Sequence, residues 1–211
     1  MNSCPLCLSE DTEHYFTDKR RCYQQCNVCN LVFVPESDQL SSKEERAIYD
    51  LHQNTLEDDG YRRFLSRVTE PLDSLLKEGA QGMDFGCGPG PLLALLLEEM
   101  GYKIKKYDPF YYPEKDVLNQ CYDFVTTTEV VEHFNHPKNG FDVLVSLLKK
   151  SSLLAVMTKR VISKEAFSKW HYKNDQTHVS FYSDATFEWI AETYGLNEVY
   201  KSSDVVIFVK Q

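Results

Sequence analysis

The sequence predicts an α/β fold, a mostly parallel β-sheet with helices on both faces, preceded by a small cysteine-rich module. Three observations carry this reading. From residue 80 onward, short apolar and β-branched runs alternate with helical runs, the pattern of a sheet whose strands are joined through crossover helices. A glycine-rich segment, Gly86 to Gly90, stands where the first of those strands hands over to a helix. Five of the seven cysteines (Cys4, Cys7, Cys22, Cys26 and Cys29) crowd the start of the chain, which sets the N-terminus apart from the rest.

Residues 1–35 form a cysteine-rich unit that ends in the β-like run Leu31-Val32-Phe33-Val34 before Pro35. A polar linker follows, with Ser41 and Ser42 placed to cap a helix and Glu44 and Glu45 just inside it. Between 43 and 78 apolar residues recur at helical spacing (Ala47, Ile48 and Leu51, then Tyr61, Phe64, Leu65, Val68 and Leu72), predicting two helices broken near Asp58-Asp59-Gly60. The expected organisation is a module over 1–35, a helical cap over 36–79 and an α/β domain over 80–211.

Within that domain Met83-Asp84-Phe85 reads as a strand, and Pro91 to Met100 as a helix with proline at its start, where a missing N–H costs nothing. Tyr102 to Tyr107 is the second strand and Tyr122 to Thr127 the third. The stretch between Asp108 and Tyr122 is too short for a full helix plus a full strand, so this crossover is expected to be abbreviated. A helix over roughly 138–149, a strand from Leu153 to Thr158, a capped helix from Ser183 to Tyr194 and a last strand from Val205 to Val209 complete the pattern.

Composition narrows the function. With 32 acidic and 23 basic residues the formal charge is −9, and the pI is near 5.2. Affinity for nucleic acid comes largely from clustered Lys and Arg, so this balance argues against such a partner and for a small-molecule or protein substrate. Local basic runs, Lys19-Arg20-Arg21 and Lys103 to Lys106, are diluted by acidic neighbours. No apolar stretch is long enough to span a bilayer, and the opening Met-Asn-Ser-Cys-Pro has no cleavable signal pattern. The expectation is a cytoplasmic chain with no membrane segment; nothing in the pattern sets its oligomeric state.

Cys4-x-x-Cys7, a spacer from Leu8 to Gln25 and Cys26-x-x-Cys29 form a strong zinc signature. Two knuckles that each present two thiolates complete a tetrahedral, closed site, hence a structural Zn2+ with no open position for catalysis. A unit this small cannot bury enough core without such a staple. Cys22 is a fifth thiol whose role stays open between bystander and substitute for Cys26. Cys87 and Cys121 read as small buried residues.

The turn itself, Asp84-Phe85-Gly86-Cys87-Gly88-Pro89-Gly90, has G-x-G-x-G spacing, not the G-x-G-x-x-G of dinucleotide sites. Asp84, two positions before the first glycine, would repel a pyrophosphate and attract a ligand with a cationic amino group. Asp108, at the end of the next strand, is placed to accept hydrogen bonds from both hydroxyls of a ribose.

Asp84 to Gly90 resembles the first signature motif of class I S-adenosylmethionine-dependent methyltransferases, and Asp108 matches their ribose-binding acid. Thr128-Glu129-Val130-Val131-Glu132-His133 resembles the acid and Glu-His segment after their fourth strand. The likeness covers about residues 80–210 and includes the late stretches Trp170-His171-Tyr172 and Thr177 to Ser183. It implies a Rossmann-like domain that binds S-adenosyl-L-methionine through Asp84, Gly86, Gly88, Gly90, Asp108, Pro109, Phe110, Thr128 and Glu129. One departure is visible: where the family usually carries Pro-Gly-Gly before the fifth strand, this chain has Lys150-Ser151-Ser152.

Methyl transfer from a sulfonium needs alignment, exclusion of water and, for most acceptors, a proton acceptor. His133 and His178 are the expected catalytic residues and His171 a weaker third, while Tyr49, Tyr61 and Arg62 lie on helices that in similar enzymes close over the cofactor. The leading reading is a small-molecule methyltransferase. Its rivals are an RNA methyltransferase that docks through the zinc module and a noncatalytic adenosyl-binding scaffold.

Overall fold

A computed structural model describes residues 3–50 and 59–211. The main sheet uses β4 (Gln81–Phe85), β5 (Lys103–Tyr107), β6 (Tyr122–Thr128), β7 (Leu148–Met157), β9 (Leu196–Lys201) and β10 (Val205–Lys210), in the order β5-β4-β6-β7-β10-β9. The pairings β4–β5, β4–β6 and β6–β7 are parallel, whereas β10 runs antiparallel to both β7 and β9. As the short spacing requires, β5 and β6 are joined through a single 3-10 turn, Lys115–Asn119.

Alternation along the strands sorts side chains to two faces. Phe124, Leu153, Ala155, Met157, Val205 and Ile207 meet α2 (Asp59–Asp73) and α3 (Leu92–Glu99). Their neighbours Val125, Leu154, Val156, Val206 and Phe208 face the other way, onto α4 (Pro137–Ser146) and α6 (Asp184–Tyr194). Both faces are covered, so the central strands read as near-continuous apolar runs.

The N-terminal residues are built into this body. β1 (Thr12–Thr17), β2 (Cys22–Cys26) and β3 (Val32–Phe33) form a second sheet whose fourth strand is β8 (Ser180–Phe181), so early and late parts of the sequence share one ladder. Cys4, Leu6, Cys26, Cys29 and Leu31 belong to the same buried cluster as Phe141, Leu144, Phe187 and Ile190. Phe167, on the short α5 (Lys164–Lys169), packs edge-on against Tyr15, Tyr23 and Phe181.

Several details differ from the sequence reading. Ser41 alone caps α1 (Ser42–Tyr49), in a reciprocal box with Glu44, and Ser42 is already helical. Asp59 and Gly60 open α2, while Asp58 lies outside the described residues. The strand expected at 31–34 is confined to Val32–Phe33. The helix expected to reach 149 ends at Ser146, because Leu148 pairs with Tyr122 and already belongs to β7. Cys87 is half-buried and Cys121 exposed, since one stands in the glycine turn and the other just ahead of β6. Ser151, inside β7, adopts φ +60°, the left-handed conformation that favours glycine. It stands in the segment where the resembled family carries its Gly-Gly.

Candidate functional site

The Cys knuckles are two copies of one loop, one opening at Cys4 and the other at Cys26. In each, the first cysteine's N–H bonds a carbonyl just beyond the second (Cys4 to Ser9, 2.8 Å; Cys26 to Leu31, 3.0 Å). The residue after each second cysteine, Leu8 or Asn30, turns left-handed at φ +63° and +58°. The four thiols converge, with Cys4–Cys29 and Cys7–Cys26 sulfurs 3.5 and 3.4 Å apart and all four within 4.8 Å of one another. These gaps are far longer than a disulfide, and the spread from 3.4 to 4.8 Å brackets the edge of a thiolate tetrahedron around zinc, about 3.8 Å for bonds of about 2.3 Å. A hydrogen bond from Cys29 is the largest influence on the Cys4 thiol, which is lowered to about 6. Cys22 stands apart, against the Thr17 hydroxyl.

The main cavity, about 850 Å³, opens over the C-terminal tips of β4, β5 and β6. β4 is the strand from which the chain turns first to β5 and then to β6 on its other side, the switch point where open α/β sheets bind ligands. Gly86 (φ +79°) could not carry a side chain, since a Cβ would come within 2.5 Å of Val130. Gly88 (φ +63°) is different: a Cβ there would meet nothing within 4 Å, because that face of the turn looks into the cavity.

Asp108 fixes the turn. Its Oδ2 accepts the Gly88 N–H at 3.1 Å, and its Oδ1 accepts those of Phe110 and Tyr111 at 2.8 and 3.1 Å. Asp84 lies beneath the glycines, outside the cavity wall, and accepts the Thr126 hydroxyl at 3.1 Å. Burial pushes its carboxyl up to about 7.

At the tip of β6, Glu129 takes φ +53°, a strained conformation that costs about 1–3 kcal/mol. Its Oε2 lies 3.3 Å from the Tyr172 hydroxyl, whose one proton is held by the nearer Glu132, while its Oε1 and the Thr128 hydroxyl are buried without a hydrogen-bond partner. Burial, then repulsion from Glu132, pushes Glu129 up to about 8.

His133 and His178 stand together on the far side of the cavity, with ring centres 4.7 Å apart. Nδ1 of His133 bonds the Thr177 carbonyl at 3.2 Å and Nδ1 of His178 the Tyr172 carbonyl at 2.7 Å. Burial, helped by His133, lowers His178 to about 3, so its imidazole is neutral at physiological pH. Glu132, His133 and His178 are close enough to hold an ion. The Glu132 carboxylate, however, already accepts the hydroxyls of Tyr172 and Thr158, which makes it a poor ligand set.

Of the residues singled out from sequence, Gly86, Gly88, Asp108, Pro109, Phe110, Thr128, Glu129, His133, His178, Tyr49 and Tyr61 line this cavity. Asp84 and Gly90 do not, Arg62 pairs with Glu99 at 3.1 Å, and His171 is exposed. Sequence reasoning gave no site role to Glu45, Phe64 and Asp175 in the wall, and held Tyr172, which stands behind it, only as part of the late stretch of the resemblance. Only their placement in space marks them.

A family model described as "Methyltransferase domain" matches residues 56–201. The chain is similar in structure to a protein of Pyrococcus horikoshii OT3, with 15% identity, a TM-score of 0.55 and coverage of 78% of this chain and 99% of that one. It is similar to a 1,6-didemethyltoxoflavin-N1-methyltransferase of Burkholderia thailandensis (12% identity, TM-score 0.55, coverage 94% and 99%). A magnesium protoporphyrin IX methyltransferase of Synechocystis PCC 6803, solved with bound SAM, gives 16% identity, a TM-score of 0.53 and coverage of 81% and 92%. No curated protein matches the chain in sequence. At these identities the likeness concerns the fold.

Proposed function

This chain belongs to the methyltransferase-domain family and is a class I, S-adenosylmethionine-dependent methyltransferase; from that premise we propose that its acceptor is a small molecule bound beside His133 and His178. The observation that carries the reading is the cavity's split character. One side offers bare glycine backbone, Asp108 and the unpartnered oxygen of Glu129. The other offers two imidazoles and Asp175 among aromatic rings. Bound there, S-adenosylmethionine supplies an electrophilic methyl group.

The protein's own residues do the rest. Glu129 and, from below, Asp84 attract the cationic amino-acid end, and the Asp108 segment holds the ribose side. Tyr49 and Phe110, with ring centres 5.8 Å apart, cover the site and exclude water. A neutral histidine would take the proton that the acceptor loses as its bond to the methyl carbon forms and the carbon–sulfur bond breaks, leaving the thioether. His178 is neutral but a weak base, and the second imidazole, His133, stands beside it with ring centres 4.7 Å apart.

Residues 1–35 are proposed as a structural zinc module, 36–79 as a cap and 80–211 as the cofactor-binding domain. A cavity of about 850 Å³ has room for a drug-sized ligand, and the Burkholderia neighbour is described with 1,6-didemethyltoxoflavin and S-adenosylhomocysteine bound together. Incubation with methyl-labelled cofactor and fractionated cell extract tests the proposal: label is expected in low-molecular-mass metabolites. Label confined to RNA or protein, or no label at all, contradicts it.

A further inference from the structure

The acceptor side of the cavity includes Asp175 and His178, which stand on a stretch with little backbone hydrogen bonding of its own; Asp175 Oδ1 accepts the Thr177 N–H and hydroxyl at 2.9 and 2.6 Å, and His178 Nδ1 bonds the Tyr172 carbonyl. After the 3-10 turn His171–Asn174, the stretch's one internal backbone-to-backbone bond is His178 N–H to the Asp175 carbonyl, 3.3 Å. Four of its carbonyls instead converge on one side chain from the far end of the sequence. Nη1 of Arg21 donates to the carbonyls of Gln176 and His178, both at 2.9 Å. Nη2 donates to those of Lys173 and Asp175, at 2.7 and 3.0 Å. All four protons on the two terminal nitrogens are used, and Arg21 is only 6% exposed.

This arrangement calls for a planar fork of fixed donors; lysine has three donors on one atom and cannot reach four diverging carbonyls. Arg21 is itself fixed. Its N–H bonds the Asp18 carboxylate at 3.0 Å, and its guanidinium lies 5.4 Å from the centre of the Tyr23 ring. It stands just ahead of β2, the strand that ends at Cys26. The thiol cluster and the Arg21 fork are thus about 17 Å apart along one strand.

We propose that Arg21 is a positioning residue for the acceptor wall: by gathering the carbonyls of Lys173, Asp175, Gln176 and His178 it sets where the Asp175 and His178 side chains stand, and so makes the zinc module part of the active site. This rests on reading the cavity as a cofactor and acceptor site. Arg21 touches none of the strand tips that form the cofactor side, so its loss separates the two halves. His178 reports the wall directly, because its Nδ1–H is held on the Tyr172 carbonyl, whereas an imidazole released to water carries its proton mainly on Nε2.

The test uses the full, zinc-loaded chain and its variants Arg21→Ala and Arg21→Lys. S-adenosylhomocysteine binding is followed by calorimetry, and the His178 ring nitrogens by 15N-resolved NMR. Wild type is expected to show a single tautomer with the proton on Nδ1. Both variants should shift His178 toward the Nε2-protonated form while metal content stays constant and S-adenosylhomocysteine affinity changes less than about twofold. Tens of millimolar free guanidinium should restore the wild-type signal in Arg21→Ala but not in Arg21→Lys, an effect that general loosening of the fold would not produce. If Arg21→Ala does not fold, Arg21→Lys decides alone. A folded variant with His178 unchanged overturns the proposal. Failure of wild type to bind S-adenosylhomocysteine overturns the pocket reading beneath it, so the two failures are told apart.

Discussion

The cofactor side and the acceptor side of the cavity are made in opposite ways. The first comes from one stretch, residues 84–129: a strand tip, a glycine turn and two further strand tips in chain order. The second joins Tyr49, His133, Asp175 and His178, with Arg21 behind them, from four parts of the chain. The difference teaches that a local motif can specify the reagent, while the partner molecule is specified by long-range assembly. Each half can be disturbed with the other as its control.

The largest effect is expected from the metal. Replacing Cys26 with Ser, or stripping zinc with a chelator, should cost about 4–5 kcal/mol or more, as loss of a structural metal does. Because the cysteines share a buried cluster with α4 and α6, thermal melting should show the methyltransferase domain destabilised together with the module. Elemental analysis should find about one zinc per chain, and a metal-free protein with an unchanged melting temperature contradicts the site.

Next comes Asp84→Ala, which removes a buried acid under the glycine turn. Losing an interaction with a charged group costs about 1.5–3 kcal/mol, so calorimetry should show S-adenosylhomocysteine binding weakened roughly tenfold to a hundredfold with the fold intact. Unchanged affinity would remove Asp84 from the cofactor side.

A smaller, graded effect follows pH. Glu129 and Glu132 have folded-state values of about 8 and about 7, raised above their ordinary 4.5 chiefly by burial. Between about 4.5 and 8 the folded protein therefore binds more protons than the unfolded one. Their contribution to the stability of the free protein is complete below the ordinary value and is lost as pH rises through about 7 to 8. A ligand with a cationic amino group prefers ionised Glu129, so its affinity should rise over the same window, by at most about tenfold per unit. Titrations at pH 6 and 8 check both signs, and Glu129→Gln should flatten the binding trend.

The smallest effect belongs to a site remote from both halves. Ser151→Gly relieves a left-handed φ of +60° and should stabilise by about 0.5–1 kcal/mol, with no change in ligand affinity. A denaturation midpoint that falls would show that Ser151 is not strained.

Much of this molecule is written in its order of residues. Alternating strands and helices fixed the class of fold, because apolar periodicity decides which face each element buries. The Asp84–Gly90 turn, Asp108 and the paired Cys-x-x-Cys knuckles were legible because their chemistry depends on spacing along one or two short segments. Tertiary structure decided what spacing cannot: that Val32 and Phe33 pair with Phe181 and Ser180, and that Glu129 is left with a bare oxygen. Arg21, which reads as one member of a diluted basic run, is instead a buried fork for four carbonyls. The physical reason is reach. A turn or a knuckle closes over a short segment and shows in any window of the chain, whereas a contact between distant segments exists only once the core between them has packed.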